Sequence, residues 1–463
     1  MAKLEKTMFR EYDIRGRESD QELNESSLEL IGKGFGTFLA KRNITSVVVG
    51  HDNRKTSEAF YQAIIKGLVF CGREVTEVGI CTTPMLYWSQ HYLKIPGGVM
   101  VTASHNPVGW NGLKLSQGYS STFLGGEIQE LYGIIEKEEF MEGEGKVVSK
   151  KDIADAYYQD LVSRVEIKRK LKVLVNTGNG TASLFAPELL RRAGCEVQEH
   201  LTTPDPTYPN YTPNPAQEEM MEDTGRRTVE TKADLGFAFD ADGDRLGLTD
   251  EKGQNIWPDR YMILLSRLVL ERNPGAKIVF DVKASQALPE DIVAHGGVPV
   301  MWKTGYSYIT EKARDIGAPL AGEMSGHIFF FEGYYGFDDA LFAALKLLEY
   351  IASKGKTVSE LIAETPYYTS TPALHAFCPD EEKYGVVEEL VREFKAQGYE
   401  VVDVNGARVL FENGWGLVRA SSNLPALVLR FEAKTKDQLR DIEQVFREKL
   451  KRYPFVGKEW KSA

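Results

Sequence analysis

Three times along the chain a short apolar run stops at polar and glycine residues, passes into a helical stretch that ends at a glycine, and resumes as a second apolar run. Residues 44–49 (ITSVVV) lead into Gly50-His51-Asp52-Asn53, a helix from Thr56 to near Gly72, and the strand EVTEV. Residues 171–199 repeat this with LKVLV, Asn-Thr-Gly-Asn-Gly, a helix ending RRAGC, and EVQE. Residues 277–302 do so again with KIVF, Asp281, a helix from about Ala284, His295-Gly296-Gly297, and VPVMW. Strand, helix, strand in this order predicts parallel strands joined by crossover helices. The glycines supply the left-handed stops.

The last hundred residues follow another order. Past the Thr/Pro-rich stretch 365–372 (TPYYTSTP), the pattern predicts a helix over 382–396, several strands over 400–431 and a charged helix over 435–451. That is an α+β arrangement with an antiparallel sheet. The chain is therefore expected to divide into three similar α/β domains with mixed sheets, 1–150, 151–253 and 254–366, and a C-terminal α+β domain, 367–463.

Composition narrows the class. At 463 residues, 42% apolar and 27% charged, the chain has enough apolar surface for several cores and lacks the signature of disorder. Fifty-six basic against 67 acidic residues give a net charge of −11, so nucleic acid and anionic membranes are poor partners. The four cysteines form neither a CxxC pair nor a dense framework, which suits a reducing compartment. The first residues lack an apolar leader, and YMILLSRLVL (261–270), interrupted by Ser and Arg, reads as a buried helix. A cytoplasmic location is expected.

Five segments carry candidate chemistry. In VMVTASHNP (99–107) a strand aims Ser104 at its end, and Pro107 stiffens the turn by pushing Asn106 towards an extended backbone. Ser104 is either a nucleophile or a serine bonding its own turn. In LGFAFDADGDRLGLT (235–249) Asp240, Asp242 and Asp244 converge between two strands, and a hard divalent cation would relieve their repulsion. An EF-hand fails, because its glycine position holds Arg245 and the flanks read as strands; Mg²⁺ fits better, and an acidic turn without metal is the alternative. PLAGEMSGHIFFF (319–331) places Glu323, Ser325 and His327 on alternate positions, suited to a ligand rich in hydroxyls or to a polar turn. VRASSNLPALVLRF (418–431) brings Arg419, Ser421, Ser422 and Asn423 into one loop, a phosphate site or a solvated β-turn. MFREYDIRG (8–16) crowds Tyr12, Asp13 and Arg15, where Arg15 meets an anion or pairs with Asp13 or Glu11. His51, His91, His200, His295 and His375 read as structural or surface residues.

In this order, FREYDIRG, TASHNP, DADGDR, GEMSGH and RASSNLP resemble the α-D-phosphohexomutase superfamily along the whole chain, and GEMSGH is most similar to its phosphomannomutase/phosphoglucomutase branch. The resemblance implies four domains around a central cleft and a phosphohexomutase that interconverts hexose 1- and 6-phosphates of mannose or glucose. It implies a phosphorylated Ser104, a 1,6-bisphosphate intermediate and glucose 1,6-bisphosphate or an equivalent as activator. By the same match Mg²⁺ would be held by Asp240, Asp242, Asp244 and an oxygen on Ser104. Glu323 and Ser325 would read sugar hydroxyls, and Arg419, Ser421, Ser422 and Asn423 would grip the non-reacting phosphate. Tyr12, Arg15, His105, Lys114, Arg245, Lys283 and Tyr306 would line the cleft, with His327 beside Ser325.

Two departures from the family pattern bear on chemistry. Tyr306 stands where relatives commonly have a histidine, and a phenol is a poor proton shuttle near neutrality, so acid/base work falls to Lys114 or His105. The phosphate loop reads Ser-Ser-Asn-Leu where relatives often have Ser-Asn-Thr or Ser-Gly-Thr. A phosphoglucosamine mutase and a metal-dependent sugar phosphatase are the competing readings. The first turns on the group facing Met324 and Ser325, the second on release of free phosphate.

Overall fold

The computed structural model describes residues 4–421 and 424–462. They fall into two compact units. One comprises the chain through Ile256 together with Ser325–Val358, and the other Trp257–Met324 together with the chain from Ser359 on.

The first unit contains two mixed sheets. The first runs in the order Ile14–Arg17, Trp110–Gln117, Gly97–Val101, Ser46–His51, Glu74–Ile80, Lys146–Ser149, with Ser121–Thr122 paired to Trp110–Gln117. Its four strands from Gly97–Val101 to Lys146–Ser149 are parallel, and the hairpin-like edge is antiparallel. Val47, Val48, Val49, Val99, Met100 and Val101 are all inaccessible to solvent, as strands covered on both faces must be. Helix Glu25–Ala40 covers one face, started by Asn24, whose side chain accepts the Ser27 N–H in a reciprocal capping box. It meets helix Ser57–Phe70 at Gly32 and Gly67, where an added Cβ would lie 2.6 Å and 2.3 Å from the opposing backbone oxygens. The second sheet runs Asn255–Ile256, Leu246–Asp250, Leu235–Phe239, Lys172–Asn176, Glu196–His200. Its last three strands are parallel, and Leu246–Asp250 returns antiparallel to Leu235–Phe239.

The second unit holds three parallel strands, Val298–Trp302, Lys277–Asp281 and Leu320–Gly322. It also holds an antiparallel sheet in the order Val401–Val402, Ala407–Phe411, Gly414–Ala420, Ala426–Ala433, Leu374–Phe377, Lys461–Ser462. The buried helix expected around 261–270 runs Pro258–Arg272, and the two C-terminal helices run Lys383–Ala396 and Lys436–Leu450. Leu427, Leu429 and Phe431 on the sheet pack with Leu390, Phe394 and Phe446 from those helices.

One local expectation is corrected. The third crossover helix starts at Ala287 and not near Ala284. Distant side chains engage the backbone of residues 282–286: Arg408 donates to the Val282 and Ala284 carbonyls and Arg430 to the Lys283 carbonyl, while Asp259 accepts the Ser285 N–H and Glu432 the Gln286 N–H. These tertiary contacts hold the segment in turns ahead of the helix. Residues 323–327 form a polar turn after Leu320–Gly322, ahead of the strand Ile328–Phe330, so Glu323, Ser325 and His327 do not share a strand face.

Candidate active site

Strand Gly97–Val101 ends at Thr102, and the turn that follows holds Ser104 at φ +49°. The Thr102 hydroxyl oxygen accepts the Ser104 N–H at 2.9 Å. Ser104 is 1% exposed, and its Oγ lies 3.0 Å from His105 Nδ1 and 3.0 Å from Asp240 Oδ2. The structure thus brings the serine turn and the aspartate turn, 136 residues apart, into hydrogen-bond contact.

Because Phe239 pairs with Leu246, residues 240–245 must reverse the chain, and this reversal gathers the carboxylates. Asp240 Oδ1 accepts the N–H groups of Asp244 and Arg245 at 3.0 and 3.1 Å. Asp242 is held through both ends of one residue: the Thr83 N–H donates to its carbonyl at 2.9 Å and the Thr83 hydroxyl to its Oδ2 at 2.6 Å. Lys114 Nζ donates to Asp242 Oδ2 at 2.7 Å and also to Asp244 Oδ2. Burial and the neighbouring Asp244 and Asp242 push the Asp240 carboxyl well above its ordinary range. Burial acts the same way on Asp242 and Asp244, but Lys114, together with Thr83 at Asp242 and with His327 and Arg245 at Asp244, outweighs it, and both sit below theirs. Burial alone would lower Lys114, yet the two aspartates hold its ammonium well above the usual lysine value.

Oxygen atoms of Asp240, Asp242 and Asp244 lie within 4.8 Å of one another, and Asp242 Oδ1 and Asp244 Oδ1 are buried without hydrogen-bond partners. An all-oxygen donor set with unsatisfied buried lone pairs fits a hard divalent cation.

Cations surround the serine. Arg15 does pair with Asp13, at 2.8 Å, but its other nitrogen reaches the serine turn, donating to the Ala103 carbonyl at 3.0 Å and to Asn106 Oδ1. The ion pair of Arg15 with Asp13 is realised, and the same side chain also contacts the turn that carries Ser104. Arg245 Nε donates to His327 Nε2 at 3.0 Å, and His327 Nδ1 lies 2.8 Å from Asp338 Oδ2. Burial, with Arg245 and Arg15 nearby, draws the His105 imidazole well below its ordinary value, so it is neutral at pH 7. Tyr12 and Ser325 are half-buried in the same unit.

In the second unit the organising residue is Asp281, at the carboxyl end of strand Lys277–Asp281. It accepts the Met324 N–H at 3.1 Å and the Thr304 hydroxyl at 3.0 Å and lies 3.4 Å from Lys283 Nζ. Glu323 accepts the Gly305 N–H, one residue before Tyr306, which opens helix Tyr306–Ile316. Arg419 and Ser421 are each 7% exposed at the end of strand Gly414–Ala420, and the Ser421 hydroxyl oxygen accepts the Leu424 N–H at 3.2 Å. Ser422 and Asn423 lie outside the described residues.

Sequence reasoning passed over Asp52, Arg54, Thr83, Asp281 and Asp338. Asp52, Arg54 and Asp281 had a usable signal, since each stands at or just past the carboxyl end of a parallel strand, where α/β proteins place their sites. His375 is half-buried, and burial together with Lys283 and Arg419 draws its imidazole below the usual value. His200 does what a structural histidine does, bonding Asp223 at 2.6 Å.

Comparison with known proteins agrees with this architecture. The phosphoglucomutase/phosphomannomutase domain families match in chain order: alpha/beta/alpha domain I over residues 6–142, domain II over 155–253, domain III over 257–368 and the C-terminal domain over 377–449. A phosphomannomutase/phosphoglucomutase of Pseudomonas putida is 40% identical over 451 residues, 97% of each chain. A phosphoglucomutase of Neisseria gonorrhoeae is 38% identical over 459 residues, 98% of this chain and 99% of that one. The crystal structure of a phosphoglucomutase/phosphomannomutase family protein from Burkholderia thailandensis superimposes with a TM-score of 0.89 at 37% identity, covering 97% of this chain and 98% of that one. The chain is a member of the α-D-phosphohexomutase superfamily, and it belongs to the phosphoglucomutase/phosphomannomutase family. It is an enzyme, a hexose-phosphate mutase of the phosphotransferase class. No helix among the described residues is long and apolar enough to cross a membrane.

Proposed function

We propose that this mutase interconverts the 1- and 6-phosphates of mannose, glucose or both through a phosphorylated Ser104 and a hexose 1,6-bisphosphate. The observation that carries the reading is the Ser104 hydroxyl, buried 3.0 Å from Asp240 within a carboxylate cluster suited to a hard cation. In the first half-reaction a sugar hydroxyl attacks the phosphorus carried by Ser104, a new C–O–P bond forms, the Ser104 Oγ–P bond breaks, and the hydroxyl proton passes to a base. The return step reverses this at the other end of the sugar. Glucose 1,6-bisphosphate, or an equivalent, supplies the first phosphoryl group.

Asp240, Asp242 and Asp244, with an oxygen on Ser104, would hold Mg²⁺, which would supply charge neutralisation at the phosphoryl oxygens. Arg15 and Lys114 stabilise the same developing charge. The proton of the attacking hydroxyl passes to His105, whose Nδ1 lies 3.0 Å from Ser104 Oγ, or to Lys114, hydrogen-bonded to Asp242 and Asp244. Glu323 and Ser325 bind sugar hydroxyls, with His327 orienting Arg245. Arg419, Ser421, Ser422 and Asn423 bind the phosphate that does not react in that half-cycle, and Tyr12, Lys283 and Tyr306 complete the substrate contacts. On this reading residues 1–150 carry the phosphoserine, 151–253 the metal, 254–366 sugar recognition and 367–463 phosphate recognition.

The test is a phosphorus NMR assay with Mg²⁺, a trace of glucose 1,6-bisphosphate, and glucose, mannose or glucosamine 1-phosphate in turn. The expected result is a 6-phosphate from glucose and mannose without inorganic phosphate, abolished by Ser104→Ala. Turnover of glucosamine 1-phosphate alone would reassign the substrate, and inorganic phosphate as sole product would replace the mutase with a phosphatase.

A further inference from the structure

Carrying a phosphoryl group places a demand on Ser104 that its own residue type does not meet. At φ +49° the residue occupies a backbone region that side chains other than Asn, Asp and His seldom adopt, so neighbouring structure must hold it there. Beneath the turn lies Arg54, 5% exposed, in the loop after strand Ser46–His51.

Its guanidinium donates to four backbone carbonyls of a single turn. One terminal nitrogen reaches Ser104 at 2.7 Å and Asn106 at 2.5 Å; the other reaches Pro107 and Trp110, both at 3.1 Å. Asp52 anchors the arginine. Its Oδ1 accepts the Arg54 N–H at 2.9 Å and the Ser57 hydroxyl at 2.5 Å, and its Oδ2 lies 3.3 Å from Arg54 Nε. The two terminal nitrogens of a planar guanidinium carry four N–H groups, one for each carbonyl, with the Asp52 carboxylate beside them as an ion-pair partner, whereas a lysine ammonium has three donors at one point.

The grip also sets polarity. In a trans peptide the carbonyl and the next N–H point opposite ways, and no described peptide bond is cis. Holding the Ser104 and Pro107 carbonyls from below turns the His105 and Val108 N–H groups away from Arg54. The outer side of the turn then presents donors, the polarity that a phosphate dianion requires.

The geometry points to Arg54 as a positioning residue of the mutase reaction: it holds the turn that carries the phosphoryl group and acts on the chemistry only through Ser104. The assignment rests on Ser104 as the phosphoryl carrier. Full-length Arg54→Lys and Ser104→Ala proteins separate the two ideas. Readouts are kcat and KM for glucose 1-phosphate, the rate of Ser104 phosphorylation by glucose 1,6-bisphosphate from intact mass, hydrogen exchange over 102–111, and the melting temperature.

Arg54→Lys is expected to melt cooperatively, keep KM within about threefold, and lose about 100-fold in kcat and in phosphorylation rate, the effect of misplacing a reacting group by about 1 Å. Exchange over 102–111 should quicken. If that variant fails to fold, Asp52→Asn keeps the guanidinium without its anchor and is expected to show the same split at about tenfold. Wild-type kcat in Arg54→Lys with Ser104→Ala inactive overturns the Arg54 assignment alone. A kcat loss that follows only the loss of folded protein overturns it too. Mutase activity persisting in Ser104→Ala overturns the carrier reading and this inference together.

Discussion

Lys114→Met tests the electrostatics of the site most directly. In the native protein the 3%-exposed ammonium is the cation hydrogen-bonded to both Asp242 and Asp244. Replacing it with an apolar chain of similar length leaves two buried carboxylates beside a third. Removing one partner of a buried ion pair costs about 3–5 kcal/mol. The cheapest escape, keeping one carboxyl protonated at pH 7, some three pH units above its ordinary range, costs about 4 kcal/mol, the same size. In urea denaturation with a chelator at pH 7, Lys114→Met should therefore be less stable than the native chain by about 3–5 kcal/mol.

Two further signs follow from the same cause. In the native protein Lys114 holds the pKa values of Asp242 and Asp244 below their unfolded values, so their contribution is present above about pH 4 and lost as pH falls through the folded values. In the variant those pKa values lie above the unfolded ones, so its stability falls as pH rises from about 4 to 7, and the gap between the proteins narrows in acid. Millimolar Mg²⁺, replacing the lost cation, should rescue the variant more than the native chain. A gap under about 1 kcal/mol in chelator, or one indifferent to both pH and Mg²⁺, would refute the reasoning.

The remaining predictions concern backbone and burial. Asp339 accepts hydrogen bonds from Tyr157, Tyr334 and the Phe342 N–H, and burial pushes its carboxyl up to about 6. Its folded pKa exceeds the unfolded one, so it should lower native stability by about 3 kcal/mol as pH rises from about 4 through 6, and Asp339→Asn should remove that step from the urea midpoint. Gly326 has φ +100°, and a Cβ there would lie 2.9 Å from the Leu246 carbonyl, so Gly326→Ala should cost about 1–3 kcal/mol in thermal unfolding and lower mutase activity by displacing Ser325 and His327. Arg408→Met should cost about 2–4 kcal/mol in urea, since the buried Val282 and Ala284 carbonyls, each 2.7 Å from the guanidinium, lose their donor. It should also lower activity through Lys283, and a variant with unchanged stability would contradict that account.

Elements whose causes are local were legible in the sequence. The strand runs 44–49, 171–175 and 277–280, with helices stopping at Gly72, Gly194 and Gly296, could be read because periodicity and left-handed stops act within a few residues; all three glycines have positive φ. The same holds for Lys383–Ala396 and Lys436–Leu450. The start of the third crossover helix was not legible, because Arg408, Arg430, Asp259 and Glu432 reach across the fold to occupy the backbone of 282–286. The turn at 323–327 was legible from Gly322 and Gly326 around it, since it lies ahead of the apolar run 328–331.

The residue types of the site, a serine after a strand, three aspartates in a reversal and a glutamate between glycines, were determined by the sequence alone. Their partnerships were not. That Ser104 faces Asp240, that Lys114 is bound by Asp242 and Asp244, that Thr83 holds Asp242 and that Arg54 grips the serine turn follow from contacts across 50 to 159 residues of chain. Only tertiary structure decides these, because a buried charge takes whichever partner packing brings within about 3 Å, and sequence spacing carries no record of that distance.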